Sequence, residues 1–89
     1  MSMIKLTSIS VLAYPQLGLT FSDGSSGIWS AAEIIGRATE LTMPMADPIC
    51  FARAFIEAGS LAWPNGLELS AYSLHRKLDE AGLLHRQAA

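Results

Sequence analysis

Apolar and polar residues alternate in two short stretches of this chain, and each stretch runs directly into a turn signal. Residues 17–21 read Leu-Gly-Leu-Thr-Phe and lead into Ser-Asp-Gly at 22–24. Residues 61–63 read Leu-Ala-Trp and lead into Pro-Asn-Gly at 64–66. A period of two is typical of a half-buried strand, and Asp-Gly and Asn-Gly are typical of hairpin turns. The pattern therefore predicts two β-hairpins, with a helix-rich stretch between them.

A further strand, Met3 to Tyr14, is predicted before the first hairpin, and Pro15 closes it. Up to residue 11, its Ile, Leu and Val residues lie at even positions in the first half of the strand and at odd positions in the second half. This change indicates either a bulge near Thr7 and Ser8 or a strand that is covered on both faces.

Asp23 and Gly24 predict a two-residue type I′ loop for the first hairpin. In the register that this loop sets, Leu19 faces Ile28 on the core side of the sheet. Trp29 then points to the opposite face.

The second hairpin is predicted to have a three-residue loop. Pro64 suits the first central position of a type I turn, and Gly66, after Asn65, suits the left-handed position of a bulged loop. Such a loop places four apolar side chains on one face, which a two-residue loop would not do. These side chains are Leu61, Trp63, Leu67 and Leu69.

Two helix starts lie between the hairpins. Residues 30–33, Ser-Ala-Ala-Glu, match a capping box and predict a short helix that ends by about Glu40. Asp47 followed by Pro48 predicts a second, largely buried helix that ends at Gly59.

A last helix is predicted to begin at the cap Ser70 and to end at Gly82, before a mobile tail over residues 83–89. Its apolar residues recur at helical spacing and are Ala71, Leu74, Leu78 and Ala81.

Together these elements predict an α+β fold, in which a small antiparallel sheet is packed by two to three short helices. The sheet is built from the two hairpins plus the N-terminal strand. With 89 residues, the chain is expected to form a single domain over residues 1–82.

The composition restricts the class of partner. A net charge of −2 with only six Lys and Arg residues argues against nucleic-acid binding. No apolar run approaches the roughly 20 residues that span a bilayer, so no membrane attachment is expected. A single cysteine fits a reducing cytoplasm. Hydrophobic residues make up 51% of the chain and the mean hydropathy is +0.32, which favours a protein partner covering part of the surface.

Residues capable of chemistry are few. Cys50 lies in the first turn of the predicted second helix, where the helix dipole favours a thiolate, but its apolar neighbours favour a small buried hydrophobe. His75 and His85 lack the spacing of four residues that places two imidazoles on one helical face, and His75 is expected to pair with Asp79. The sequence predicts no catalytic residue, cofactor or metal ion.

Two features are candidate contact points for a protein partner. The register predicted for the first hairpin turns Trp29 away from the core, and an exposed Trp is typical of an interface anchor. The alternative is that the helix after Ser30 folds over that face and buries it. Met43 and Met45 flank Pro44 in an apolar linker, where they either bind a partner peptide or fill a gap in the core.

The order of these motifs resembles the small bacterial family called domain of unknown function 2442. The resemblance covers roughly residues 4 to 78. It is carried by the turn sequences 21–24 and 63–66, by Asp47-Pro48 between them, and by the last helix with Leu74.

This resemblance implies an α+β domain with no established enzymatic activity. It also implies one partner of a gene pair similar to a toxin–antitoxin module. We therefore interpret the chain as a non-catalytic protein-interaction domain, which binds a small protein from a neighbouring gene or a second copy of itself. The alternative is a small-molecule-binding domain or minor enzyme with a pocket near Cys50 and Trp63.

Overall fold

The computed structural model describes residues 3–86, and within them two antiparallel three-stranded sheets pack with three helices. The predicted α+β fold class is confirmed. A single 3₁₀ turn, Met43–Ala46, precedes the second helix. The elements in chain order are β1 Leu6–Val11, β2 Gln16–Phe21, β3 Ser26–Ser30, α1 Ala32–Gly36, α2 Pro48–Phe51, β4 Phe55–Glu57, β5 Ser60–Ala62, β6 Glu68–Leu69 and α3 Ala71–Glu80.

The first sheet has the order β1-β2-β3, and its second connection is one residue longer than predicted. The Phe21 amide donates to the Ser25 carbonyl over 2.8 Å, and the Gly24 amide donates to the Phe21 carbonyl over 3.0 Å. Gly24 has a φ of 86°, so residues 22–24 form a type I turn followed by a left-handed glycine. The predicted two-residue type I′ loop is wrong.

The longer loop shifts the register of β3 by one residue. Leu17 pairs with Trp29, and Gly18 pairs with Ile28. Trp29 therefore shares the core face of Leu17 and is 7% exposed, whereas Ile28 is 54% exposed. The predicted pairing of Leu19 with Ile28 and the outward orientation of Trp29 are both wrong, because a slip of one residue exchanges the two faces of a strand.

The three-residue loop of the second hairpin is confirmed. The Trp63 amide donates to the Leu67 carbonyl over 2.9 Å, and Gly66 has a φ of 96°. Leu61 pairs with Leu69 across β5 and β6, as the predicted register requires. The second sheet has the order β4-β5-β6.

Both hairpin turns are held by the side chain that precedes the glycine. Asp23 Oδ1 accepts from the Ser25 amide over 2.9 Å, and Asn65 Oδ1 accepts from the Leu67 amide over 3.2 Å. Because these side chains bond to the backbone two residues on, Asp and Asn stabilise the three-residue loop as well as the shorter one.

The first strand spans Leu6–Val11, which is shorter than the predicted Met3 to Tyr14. Its register with β2 shifts between Leu6 and Ser8, and this shift confirms the predicted bulge. The Leu6 amide donates to the Gly59 carbonyl over 2.8 Å, so the start of β1 joins the turn between β4 and β5.

The predicted capping box of the first helix is wrong. Ser30 belongs to β3, and its hydroxyl accepts from the Ala32 amide over 3.2 Å. The Glu33 carboxylate binds Arg37 over 2.9 Å instead of reaching back to the helix start. The helix ends at Gly36, before the predicted limit.

The second helix begins as predicted but ends early. Asp47 Oδ1 accepts from the Ile49 amide over 3.0 Å, and Pro48 occupies the first helical position. The helix ends at Phe51, well before Gly59.

Residues 55–57, which were predicted to be helical, form strand β4 and pair with β5. Ala58 and Gly59 have φ values of 50° and 84° and connect Glu57 to its partner Ser60. Two left-handed residues in a two-residue loop are the requirement of a type I′ turn. The sequence does not predict this turn, because alanine, the residue at position 58, rarely adopts a positive φ.

The last helix is confirmed at both ends. The Ser70 hydroxyl accepts from the Ser73 amide over 3.2 Å. Gly82 has a φ of 71°, and the Leu83 amide donates to the Leu78 carbonyl over 2.9 Å, which closes the helix. The buried residues of this helix are Ala71, Leu74 and Leu78.

Beyond Gly82 the chain returns to the first sheet. The His85 amide donates to the Ser26 carbonyl over 2.7 Å, and the Ser26 amide donates to the His85 carbonyl over 2.8 Å. The predicted boundary at residue 82 is therefore corrected, because the chain stays paired with β3 as far as His85. Residues 87–89 of the predicted tail lie outside the described residues.

The two sheets and the second helix meet at Trp63. Its indole N–H donates to the Phe51 carbonyl over 2.9 Å, and its ring centroid lies 6.1 Å from that of Phe51. The Trp29 ring, from the first sheet, lies 6.5 Å away. Trp63 is only 2% exposed, so this junction forms the centre of the core.

Gly27 is the point where α3 and the returning chain cross β3. A Cβ at this position would lie 2.9 Å from the Leu83 carbonyl oxygen and 3.0 Å from Leu78 Cδ1. We expect Gly27→Ala to lower the free energy of unfolding by about 1–3 kcal/mol, because the packed backbone has no room for the methyl group. Urea unfolding monitored by circular dichroism measures this loss.

Gly36→Ala is the matched control, because a Cβ at Gly36 meets no atom within 4 Å. In a helix this change is expected to be neutral or to stabilise by up to about 1 kcal/mol. An equal loss in both variants would contradict the assigned contact at Gly27.

Candidate functional site

The structure separates the three residues that were predicted to contact a partner. Met43 is 61% exposed, but Trp29 and Met45 are 7% and 2% exposed. Trp29 and Met45 therefore belong to the core, and for these two residues the predicted role at a surface is corrected. Their burial follows from the register of β3 and from the packing of the 3₁₀ turn.

Tyr14 attaches the turn between β1 and β2 to the segment that contains Met45. Its hydroxyl donates to the Met45 carbonyl over 2.7 Å. Its ring packs edge-on against Phe51, with centroids 5.4 Å apart and planes at 89°. Two segments far apart in sequence are thus held side by side.

These two neighbouring segments expose an apolar surface, which we call the tip surface. Of the eleven large hydrophobic side chains that are exposed within residues 3–86, six belong to it. They are Val11, Leu12 and Tyr14 from the β1–β2 turn, and Leu41, Met43 and Ile49 from the segment before and within α2.

Charged residues are nearly absent from the tip surface. Residues 6–22 contain no Asp, Glu, Lys or Arg, and residues 41–50 contain only Asp47. Asp47 is already engaged as the cap of α2. A surface that combines exposed apolar side chains with a scarcity of charge is typical of the central part of a protein–protein interface.

A small apolar cleft of about 100 Å³ lies beside the tip surface, where the alternative pocket was predicted. Ligand sites for small molecules are usually about 300–1,000 Å³, so this cleft is small for such a role. It suits one inserted side chain. Its lining residues are Pro44, Met45, Cys50, Arg53, Trp63, Pro64 and Asn65.

Cys50 lines this cleft and is half-buried. Its thiol donates to Asp47 Oδ2 over 3.7 Å. A catalytic cysteine needs a neighbouring base such as histidine, but His75 is bound to Asp23.

Asp23 links the first hairpin to α3 and to the returning chain. Its Oδ2 lies 2.9 Å from His75 Nε2 and 3.7 Å from an Arg86 guanidinium nitrogen, and its Oδ1 accepts from the Ser25 hydroxyl. The predicted pairing of His75 with Asp79 is wrong, because the fold brings Asp23 closer. Asp79 contacts Arg86 over 3.6 Å.

The contacts of Asp23 with Ser25 and His75 have the residue types of a hydrolytic triad but not its order. In a triad the histidine lies between the serine and the carboxylate. Here the carboxylate lies between the serine and the histidine. Ser25 is 1% exposed, and its hydroxyl donates to Asp23, so His75 is not placed to activate it. This arrangement holds the hairpin turn in place.

The hydrogen bond from the Ser25 hydroxyl is the main cause that lowers the pKa of Asp23 from 3.8 to about 2. Partial burial opposes this change, and the Ser25 amide and His75 add to the lowering. Asp23 is therefore ionised at all but strongly acidic pH.

Within residues 3–86, no group of three or more His, Cys, Asp and Glu side chains is placed to hold a metal ion. Among the same residues, none of the helices combines the length and apolar character needed to cross a membrane.

Comparisons of the chain with protein-family models, with curated proteins and with solved structures return no match. The resemblance to domain of unknown function 2442 therefore stays a prediction.

We expect Asp23→Asn to lower the free energy of unfolding by about 1 kcal/mol near neutral pH. The amide keeps the Oδ1 acceptor for the Ser25 amide but removes the charge that faces His75 and Arg86. Because the folded pKa is lowered, the carboxylate contributes stability above pH 3.8 and loses it as the pH falls toward about 2. Urea unfolding of both proteins across this pH range measures the difference.

Asp79→Asn is the control, since Asp79 also contacts Arg86 but lies on the exposed face of α3. Its effect should stay below about 0.5 kcal/mol at every pH. A loss equal to that of Asp23→Asn, or a difference that does not shrink in acid, would contradict the role assigned to Asp23.

Proposed function

We propose that this chain is a non-catalytic protein-interaction domain that binds its partner through the tip surface. The single observation that carries this proposal is the concentration of exposed apolar side chains on two segments almost free of charge. Charged side chains would have to be desolvated on binding, and their scarcity removes that cost.

The cleft next to the tip surface supports the same proposal. Apolar pockets at the centre of an interface commonly receive one large side chain of the partner, and such contacts dominate the binding free energy. Met45 and Trp63, which are both buried, provide rigid walls for it. The partner is expected to insert an apolar side chain here.

The chemistry-bearing residues support a non-catalytic role. Cys50 contacts a carboxylate, and His75 is engaged by Asp23. Ser25 is buried within a turn. The alternative function, a small-molecule-binding domain or minor enzyme near Cys50 and Trp63, is less favoured, since the cleft is small and His75 is bound to Asp23 and does not contact the thiol.

We further propose that the domain acts in the cytoplasm as one partner of a gene pair similar to a toxin–antitoxin module. The support for this assignment is the resemblance of the two turn motifs and of Asp47-Pro48 to domain of unknown function 2442. A small uncharged surface suits a small protein partner made alongside the chain.

The double variant Met43→Lys, Ile49→Lys tests the tip surface. Both side chains are strongly exposed, at 61% and 70%, so the substitutions should leave the fold intact. We expect them to weaken binding of the partner at least about tenfold, because two charges would be buried in an apolar interface. The measurement is co-purification of the tagged full chain from its native host, followed by titration with the purified partner.

Tyr72→Lys is the control, because Tyr72 is 64% exposed on α3, away from the tip surface. It should bind like the unsubstituted chain. A partner that is lost with Tyr72→Lys and retained with the double variant would contradict the proposed surface.

A further inference from the structure

Strand β1 is an edge of the first sheet, and the alternation of its ladder identifies which backbone groups face outward. The Leu12 amide donates to the Gln16 carbonyl, toward β2. Ser10 and Ser8 are even-numbered like Leu12, so their backbone groups also point toward β2, where they pair with Gly18 and Thr20. Since successive residues of an antiparallel strand point their backbone groups to opposite sides, the groups of residues 9 and 11 point away from β2.

The other edge of the same sheet confirms this parity. The Phe21 amide faces β3, and the Ser26 amide on β3 faces outward to His85. In β2, odd residues therefore bond to β3, and even residues bond to β1. The outward groups of Ile9 and Val11 have no backbone partner within residues 3–86, where β1 pairs with β2 alone.

Within residues 3–86, no lysine, proline or backbone hydrogen bond occupies the outward side of β1 from Ser8 to Val11. In many edge strands a lysine, a proline or a covering segment prevents pairing with the strand of another chain. Lys5 precedes the strand and Pro15 follows it. Strand β4 packs near β1, and the backbone hydrogen bond between this region and β1 is made at Leu6, by the Gly59 carbonyl. The bulge lies before Ser8, so the part from Ser8 to Val11 is regular and uncharged.

The edge of β3 is less available. Its first outward residue, Ser26, is already paired with His85. Ile28 and Ser30 are its other outward residues, and the Ala31 amide continues the ladder by donating to the Pro15 carbonyl. Each edge therefore has two open residues, but the start of the β3 edge is occupied by the returning chain.

We propose that a second copy of this chain pairs its β1 antiparallel to β1 of the first, about a two-fold axis at Ser10. In this register Ile9 lies opposite Val11 of the partner subunit, and each such pair exchanges two hydrogen bonds, about four in all. The parity of β1 favours this register, because it pairs both outward residues, 9 and 11, whereas an axis at either of them would pair only that residue with its own symmetry mate. The two sheets then form one continuous sheet.

The side chains of β1 are also compatible with this pairing. Val11 is 52% exposed and Ile9 is half-buried, both on the core side of the sheet, so each apolar side chain gains an apolar neighbour. Ser10 faces its own symmetry mate on the outer face, where a small neutral side chain is tolerated and a charge is not.

The exposed apolar surface next to this edge would add to the area that a dimer buries. A stable dimer buries about 800 Å² per subunit, which is roughly one seventh of the 5528 Å² surface of this chain. The edge of β1 runs directly into the exposed Leu12 and Tyr14 of the tip surface, so that both belong to one interface. This inference rests on the proposed function, since it names a second copy as the partner for this surface.

Ser10→Lys is the central test, performed on the full chain by sedimentation velocity up to about 100 μM. The unsubstituted chain should sediment as a dimer of the 9.5 kDa subunit. Two lysines would face each other with Cα atoms about 4.5 Å apart, so the variant should be monomeric. Ile28→Lys places the same charge on the same face at the other edge, and it should remain dimeric.

Val11→Pro gives a test through the backbone. In the deduced parity its amide faces away from β2, so proline removes an intermolecular donor and no bond within the sheet. The dimer should weaken at least about tenfold while the circular dichroism spectrum stays unchanged. In the unsubstituted chain, hydrogen exchange of the Ile9 and Val11 amides should slow as the concentration rises.

The outcomes separate this inference from the proposed function. A monomer with fast exchange at both amides overturns the pairing of β1, and so does a dimer that is lost with Ile28→Lys and kept with Ser10→Lys. Such a monomer, if it still bound a different protein through Met43 and Ile49, would leave the proposed function standing. If it bound none, both proposals would fail.

Discussion

The indole of Trp63 is the contact on which the arrangement of this small domain depends. It begins the turn of the second hairpin, donates to the last residue of α2 and packs against Trp29 of the first sheet. A chain of this size buries only roughly 60% of its unfolded surface, so one large side chain at the junction accounts for much of the core. The indole N–H also satisfies the Phe51 carbonyl at a buried helix end.

The two hairpin turns position everything around this junction. Each has three loop residues, a left-handed glycine, and an Asp or Asn that bonds to the backbone two residues on. Because loop length sets strand register, the first turn decides that Trp29 faces Trp63 and that Ile28 faces outward. With a loop one residue shorter, Trp29 would lie on the outer face.

Charge is distributed unevenly over the molecule. The ion pairs within residues 3–86 involve α1, α3, the first hairpin turn and Arg86. The tip surface and β1 carry almost no charge. Tyr14 connects the two uncharged segments through Met45 and Phe51, so a single tertiary contact assembles the surface that we propose as functional.

Much of this fold was already predictable from local patterns. The fold class, the second hairpin, the caps Asp47 and Ser70, and the bulge of β1 are confirmed, because each depends on residues close together in sequence. The charge-free run over residues 6–22 could also have drawn attention to β1 and the β1–β2 turn.

Other features depended on competition between local alternatives. Asp23-Gly24 suits a two-residue or a three-residue loop, and the longer loop is the one that places Trp29 on the core face. The pattern after Asp47 suits one long helix or a short helix followed by a strand, and pairing with β5 selects the strand.

The sequence by itself determined the positions of the two Gly-containing hairpin turns at 22–24 and 64–66 and of the caps Asp47 and Ser70, since these rest on backbone preferences of single residues. Only the tertiary structure decided which faces are buried, that His75 meets Asp23, and that the two uncharged segments form one surface. Those outcomes depend on contacts between distant residues, whose free energy outweighs local preference.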